Sequence, residues 1–365
     1  MSDFYVYNNA KERIGIIQND ESVQWLENYQ SPGEVKVVVR VTEDNLALLV
    51  DGNRIYNTDS NTAARISYVS IVEAESEHSI IARADLTAEL LSDRVVMATE
   101  NVTNVEAAMY AIYAKNRRGL PIEMGTAQGY TERLDMEITW NTVLDALNAL
   151  AASSGLGYVV GFDPETGIET LKVYKGIDRS VEGSDNYVGY FGTDVGNISN
   201  LEITTGTTDL KNVAVVAGEG EGSARTVRIV SLGNVSGENR RELYVDARDI
   251  QREAQIAVDT GQVDEKGNPI YEYQTKVYTD AEYNALLDAR GYEKLAEHLS
   301  SFGVTCDIEQ SNLEYGVDYH LGDRMPVKLT DYGITASAVV SSVNRIYESS
   351  GTRVVVTLSD FKLTE

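Results

Sequence analysis

Residues 34–41 read EVKVVVRV, placing Val35, Val37, Val39 and Val41 on one side of the chain at a period of two, the pattern of a half-buried β-strand. Short apolar runs continue over 46–56 and 66–75, broken by Asp51-Gly52-Asn53 and by the polar stretch 57–62. This rhythm of runs and turns predicts an antiparallel β-barrel or sandwich domain over residues 1–100. The period then lengthens. Asn104 stands as an N-cap before Val105, Ala108, Met109, Ile112 and Tyr113, which share one helical face, and Arg117, Arg118, Gly119 and Pro121 close that helix. Beyond Trp140, which is expected to pack at a helix start, Val143, Leu144, Leu147 and Leu150 form a second stripe that stops at Gly155. Strands over 158–162 and 171–174, joined by the turn Asp163-Pro164-Glu165-Thr166-Gly167, complete an α+β domain over 101–195.

From Leu201 the pattern returns to strands. Runs at 213–217 and 226–232 flank Gly218-Glu219-Gly220-Glu221-Gly222, and a further run at 240–246 ends abruptly. Residues 319–327 (YHLGDRMPV) reopen the strand pattern, and runs at 327–329, 338–347 and 353–358 finish it, with 348–351 turning the last hairpin. Residues 196–246 and 304–365 are therefore expected to form a second barrel, split by an insertion over 247–303. That insertion contains a hairpin tip at Asp264-Glu265-Lys266-Gly267-Asn268, a capping box at Thr279-Asp280-Ala281-Glu282, and a helical region with Leu286, Leu287, Leu295 and Leu299 apolar. Gly291 reads as a break or bend in it. A weak internal echo joins the two β regions: Asp51-Gly52-Asn53-Arg54-Ile55 precedes 66–71 much as Gly322-Asp323-Arg324-Met325-Pro326 precedes 336–341, at an offset of about 270 residues.

Length and composition fit this layout. A chain of 365 residues implies several domains, and 29 Gly against 5 Pro implies many tight turns. Tyr, at 22 against 5 Phe, suits half-buried strand faces and subunit contacts as well as ordinary β composition. The formal charge of -26 is spread along the whole chain, which argues against tight phosphate binding and against anionic membranes, and serves solubility equally well. Cys306 is the single cysteine, so no disulfide forms within the chain and no thiolate cage holds a metal; it reads as a small buried hydrophobe. The start, Met1-Ser2-Asp3-Phe4, has no basic and apolar leader, and no stretch approaches the ~18 apolar residues of a membrane span, so synthesis in the cytosol is expected.

No catalytic, cofactor-binding or metal-binding residue is assigned. His78, His298 and His320 are isolated in sequence, and HExxH, GxSxG and Cys/His pairings are missing. The glycine-rich 218–222 loop is followed by neither a helix nor Lys-Ser/Thr, and its two carboxylates would face any phosphate. Asp51-Gly52-Asn53 and 163–167 carry too few spaced acids for a calcium loop and read as turns. Glu73, Glu75 and Glu77 alternate along an expected strand and share a face, either as a solvated acidic surface or as part of the carboxylate pair that a carbohydrate- or peptidoglycan-active protein would need. Only Trp25 and Trp140 could supply indole platforms. A secreted adhesion module is a third reading, disfavoured by the missing leader.

The order of Trp25-Leu26-Glu27-Asn28-Tyr29 before Gly33-Glu34-Val35, then 86–94 (LTAELLSDR), 241–249 (RELYVDARD), 290–295 (RGYEKL) and 319–327 resembles the siphophage tail-tip or baseplate hub proteins, which are similar in architecture to the central hub of contractile tails and to secretion-system spikes. The resemblance implies a mainly β chain with α+β insertions, two tube-type antiparallel β-barrels per chain and decorating domains. It also implies a homotrimer at the virion tail tip, assembled in the host cytoplasm. Such a hub would contact the distal tail protein ring, the tape-measure protein and a spike, fibre or receptor-binding protein. It would line a channel whose acidic wall lets DNA pass without specific binding, and would make no stable membrane contact. No cofactor and no enzymatic activity are implied.

Overall fold

The computed structural model describes residues 3–18, 20–74, 77–138, 140–263, 269–296, 298, 301–309 and 312–363. The chain divides into two compact units, Met1–Ile203 with Gly303–Glu365, and Thr204–Phe302. The expected hairpin tip at 264–268 and Leu299 lie outside the described residues.

The first unit is organised by one long sheet. Along it the strands Gly351–Leu363, Ile334–Glu348, Asp20–Asn28, Glu34–Arg40, Glu77–Leu86 and Thr62–Ala74 are successive neighbours. Phe4–Tyr7 branches off, pairing with Arg13–Ile16 on one side and with Arg54–Asn57 on the other. The alternation is realised over 34–40, where Val35, Val37 and Val39 are at most 2% exposed and Glu34, Lys36 and Arg40 face solvent, whereas Val41, past the end of the strand, is 36% exposed. Those valines meet Phe4, Val23, Trp25, Ile55, Ile66, Ile80 and Tyr347 in one apolar cluster, each buried aliphatic side chain contributing about 1.5–3 kcal/mol.

The two expected barrels are not formed: among the described residues the strand order has free ends and no sheet closes on itself. Closing the N-terminal set would require Asp20–Asn28 to pair with Arg13–Ile16. Instead Asp20–Asn28 takes Ile334–Glu348 as its neighbour, with Arg345 opposite Trp25 and Val343 opposite Glu27. The exposed edge of each set is thus satisfied by the other set, which removes the need for closure. The mainly β character with α insertions stands. A second departure lies at 46–56, expected as a strand. Thr42 caps a short helix, Glu43–Leu48, by accepting from the Asn45 N–H at 3.1 Å, and only Arg54–Asn57 is extended.

The helices follow their local signals. In Val105–Asn116 the Asn104 side chain accepts from the Ala107 N–H at 2.9 Å. Val143–Ser154 is capped by Thr142 and stopped by Gly155 at φ 75°, whose N–H reaches the Ala151 carbonyl. Both helices bury their apolar stripes against Ile122, Tyr158, Val160, Leu171 and Val173. Glu106 is buried, and its carboxylate accepts main-chain N–H groups from Gln128, Gly129 and Tyr130 at 2.6–2.9 Å, which ties that loop to the helix.

The internal echo survives as a repeated corner. The Gly52 N–H donates to the Ile66 carbonyl and the Ile66 N–H returns to Asn53; likewise the Gly322 N–H donates to Val340 and the Val340 N–H returns to Asp323. Gly52 and Gly322 have φ of 86° and 92°, the left-handed region that favours glycine. Each corner opens an antiparallel hairpin, Arg54–Asn57 with Thr62–Ala74 and Arg324–Leu329 with Ile334–Glu348.

In the second unit Val227–Ser231, Val213–Ala217 and Glu242–Asp246 form a three-stranded sheet. The helix Asp280–Ala296 covers one face, burying Tyr283, Leu287 and Leu295 against Ala214, Val216, Val230 and Val245, while Leu286 is exposed. The capping box is present, since the Thr279 N–H donates to Glu282 Oε2 at 2.9 Å and the Glu282 N–H returns to Thr279 Oγ1 at 3.3 Å. Gly291 does not break the helix. It lets the helix approach the sheet, because a Cβ there would lie 2.5 Å from Val230 Cγ2 and 2.7 Å from Val216 Cγ2.

Two outcomes follow for this unit. Gly291→Ala should destabilise it by about 1–3 kcal/mol in thermal unfolding, despite alanine's higher helix propensity, because the branched valines cannot swing aside; an unchanged or raised melting temperature would remove the close-packing role. Glu282 is held down to about 2 by the Thr279 N–H and by Lys276. Its folded value lies below its unfolded one, so the stability it contributes is present above the ordinary carboxylate value and is lost as pH falls from there toward 2. Glu282→Gln should flatten that part of the stability profile, and an unaltered acid limb would refute the assignment.

Candidate functional site

Buried polar chemistry in the first unit converges where Asp20–Asn28 meets Ile334–Glu348. A period of two places Val23, Trp25 and Glu27 on the same face as Val343, Arg345 and Tyr347, so a carboxylate and a guanidinium lie diagonally across the ladder. Arg345 Nη2 donates to Glu27 Oε2, and both residues are under 9% exposed. Burial raises the Glu27 carboxyl above its ordinary value, and Arg345 opposes that rise. The guanidinium lies 5.5 Å over the Tyr315 ring. Next to this pair, Tyr347 donates its hydroxyl to Asp59 Oδ2 at 2.9 Å and accepts from Asn57 Nδ2 at 3.3 Å, its own pKa raised to about 12 by burial.

These groups border a cleft of about 660 Å³ lined by Glu27, Asp59, Glu314, Tyr315, His320 and Arg345. Three carboxylates in one cleft invite an acid–base reading, but a general acid or base must reach substrate with its proton. Glu27 is engaged by Arg345, which joins Asp20–Asn28 to Ile334–Glu348, and Asp59 by Tyr347, which fastens the 54–62 hairpin to the same C-terminal strand, while Glu314 is exposed.

A second polar knot sits at the Gly322-Asp323 corner. Asp323 is 2% exposed; its Oδ1 accepts from the Ile177 N–H at 2.7 Å, and its Oδ2 accepts from Arg179 Nε at 2.7 Å and the His320 N–H at 3.0 Å. Tyr29 packs on Gly322, where a Cβ would come within 2.3 Å of its ring. The Tyr29 hydroxyl, pushed up to about 12 by burial, donates to the Gly155 carbonyl and accepts from the Gly176 N–H. Asp323 therefore positions main chain at the start of Arg324–Leu329.

The histidines are scattered. His78 lies on an exposed hairpin arm with Nδ1 3.7 Å from Glu73, His320 is half-exposed at the cleft, and the main chain of His298 accepts from the Lys211 N–H. Glu73 and Glu77 do not share a strand: Thr62–Ala74 ends and Glu77–Leu86 begins between them, with Ala74 opposite Glu77. Glu75 lies outside the described residues. Among the described residues no cluster of His, Cys, Asp or Glu could hold a metal ion, and no helix is long and apolar enough to cross a membrane. Cys306 is buried and its thiol is pushed up to about 12, which makes it a poor nucleophile. In the 218–222 loop, Gly218 packs against Tyr283, and the Glu219 N–H donates to the Tyr283 hydroxyl at 2.7 Å, so the loop serves packing. Trp25 is fully buried, whereas Trp140, expected to pack, is 72% exposed with φ 58°.

Removing one half of a buried pair leaves the other uncompensated. Arg345→Ala should destabilise the first unit by about 3–5 kcal/mol in denaturant unfolding, while the double variant Glu27→Gln with Arg345→Met should lose much less. Equal losses in the two would show that packing, and not charge compensation, is what Arg345 supplies.

Comparison with known proteins gives one family: the Siphovirus ReqiPepy6 Gp37-like proteins, matched over residues 3–358. Among solved structures, a tail protein from Neisseria meningitidis superposes with a TM-score of 0.57 at 13% identity, covering 98% of this chain and 96% of that one. The 43 kDa tail protein of prophage MuSo2 from Shewanella oneidensis gives 0.55 at 9% identity, covering 98% of each chain. At these identities the likeness is one of fold. No protein with a curated description matches.

Proposed function

Because this chain belongs to the Siphovirus ReqiPepy6 Gp37-like family, we propose that it is a structural, non-enzymatic part of a phage or prophage tail, acting at the tip as a homotrimeric hub. In this role it closes or extends the tail tube and connects the distal tail ring to a spike, fibre or receptor-binding protein. The observation that carries the reading is a family match running through both units, from residue 3 to residue 358. Three further observations support it. The fold is shared over nearly the full chain with two tail proteins. The buried Glu27–Arg345 pair joins two strands and the buried Asp323–Arg179 pair fixes the start of a third, as suits a load-carrying part. The charge of -26 suits a wall past which DNA moves without adhering.

The finer parts of the role are separable. Sedimentation of the purified chain, alone and with its distal tail protein, should give a trimer mass; a monomer in both conditions would sink the hub assignment. Immunogold labelling of particles should mark the tail tip, and label on the head or along the shaft would contradict the location. DNA should not be retained at low ionic strength, where any electrostatic attraction would be greatest.

A further inference from the structure

Trp140 occupies a position that its side chain disfavours. Val96 and Trp140 lie in a short antiparallel ladder: Val95 pairs with Thr142, the Val143 N–H donates to the Arg94 carbonyl, and the Val96 N–H donates to the Asn141 carbonyl. The Trp140 N–H then donates to the carbonyl of the same Val96, at 3.0 Å. Two residues, Trp140 and Asn141, thus oppose one, which makes a bulge with Trp140 in the left-handed region that such bulges ordinarily fill with glycine. A bulky aromatic held there is an outlier, and the bulge turns its indole into solvent.

The neighbouring surface is apolar and positively charged. Val95 is 41% and Met97 62% exposed on either side of the buried Val96. Arg94, Arg117 and Arg118 surround them, with Arg94 Nε bonded to the Arg117 carbonyl at 3.0 Å and Arg118 Nη2 to the Val95 carbonyl at 3.0 Å. Arg117 lies beside the Tyr113 hydroxyl. Main-chain carbonyls fix Arg94 and Arg118 in place without neutralising them, and among the described residues none of the three guanidinium groups is paired with a carboxylate. On a chain of charge -26 this is an uncompensated basic spot around an aromatic and a thioether. Tryptophan, methionine and arginine are also among the side chains enriched at protein interfaces.

We infer that Trp140, Met97 and Val95, with Arg94, Arg117 and Arg118, form a docking site for an acidic segment of a partner protein that sets an apolar side chain against the indole. The site lies on the outside of the α+β part of the first unit and stands independently of the tail-hub reading. Charge complementarity selects the occupant. A short acidic peptide meets the arginines alone, whereas an extended nucleic acid would also run over the acidic surface beyond them and be repelled. Arg94 and Arg118 are already held in place, so less side-chain freedom is lost on binding.

The test uses the full chain. Peptides selected on it from a random-sequence display library, then synthesised, should carry Asp or Glu around an aromatic or aliphatic residue. Their affinity in fluorescence anisotropy should fall about tenfold or more for Trp140→Gly and for the double variant Arg117→Glu with Arg118→Glu, and should weaken as salt is added. Trp140→Gly should melt at or above the wild-type temperature, since glycine suits the backbone there, so lost binding cannot be charged to unfolding. Three results would overturn the inference: no Trp140-dependent peptide emerges, the selected peptides lack acidic residues or bind both variants equally, or a single-stranded oligonucleotide binds with the same dependence on Trp140.

Discussion

The first unit depends on one strand pairing between residues far apart in the chain. Asp20–Asn28 and Ile334–Glu348 must find each other across some three hundred residues, and until they do each leaves an unpaired edge and half a buried ion pair. The apolar neighbours cannot stand in for this contact, since Trp25, Tyr347 and Phe4 reach their shared cluster only when the strands are in register. A slip of one residue would turn Arg345 and Tyr347 to the face opposite Glu27 and Trp25. The ion pair is thus less a source of net stability than a check on register, because every other alignment strands a charge in an apolar setting.

What was legible in the sequence is what is settled locally. Asn104, Gly155 and the Thr279–Glu282 box act within a turn of helix, and their chemistry is the same wherever the helix ends up. The Val35, Val37, Val39 alternation likewise gave the correct face. It could not give the neighbour, because period two fixes which side is buried and says nothing of which edge is occupied; hence open sheets where barrels were expected. The same limit applies to the cleft, whose walls come from around residues 27, 59, 315 and 345. Glu73 and Glu77 looked as if they shared a face because no Gly, Pro or Asn stands between them. Gly291 looked like a break because a glycine chosen for close approach and one chosen to end a helix are the same letter. Trp140 was misplaced for the opposite reason: its left-handed backbone runs against every residue preference and leaves no trace in the pattern.

Charge organises the surface in a similar way. The acidic excess is general, but carboxylates with buried partners are tied to fixed donors: Glu27 to Arg345, Glu169 to Arg54 and Lys11, and Asp323 to Arg179. Functional charge is found where pairing is missing. On an acidic protein that condition singles out cations held by carbonyls, a distinction that neither net charge nor a count of arginines reveals.

The repeated corner carries a last consequence. In one copy the residue after the glycine is Asn53, whose amide donates to the Leu48 carbonyl at the end of a short helix; in the other it is Asp323, whose oxygens accept from Arg179 and two main-chain N–H groups. Amide and carboxylate have nearly the same shape, so the backbone accommodates either without adjustment. The exchange of one nitrogen for one oxygen inverts the polarity of the socket, and with it the kind of neighbour each half of the chain can recruit. Two equivalent frames can in this way drift toward unlike surroundings while their main-chain hydrogen bonds stay the same.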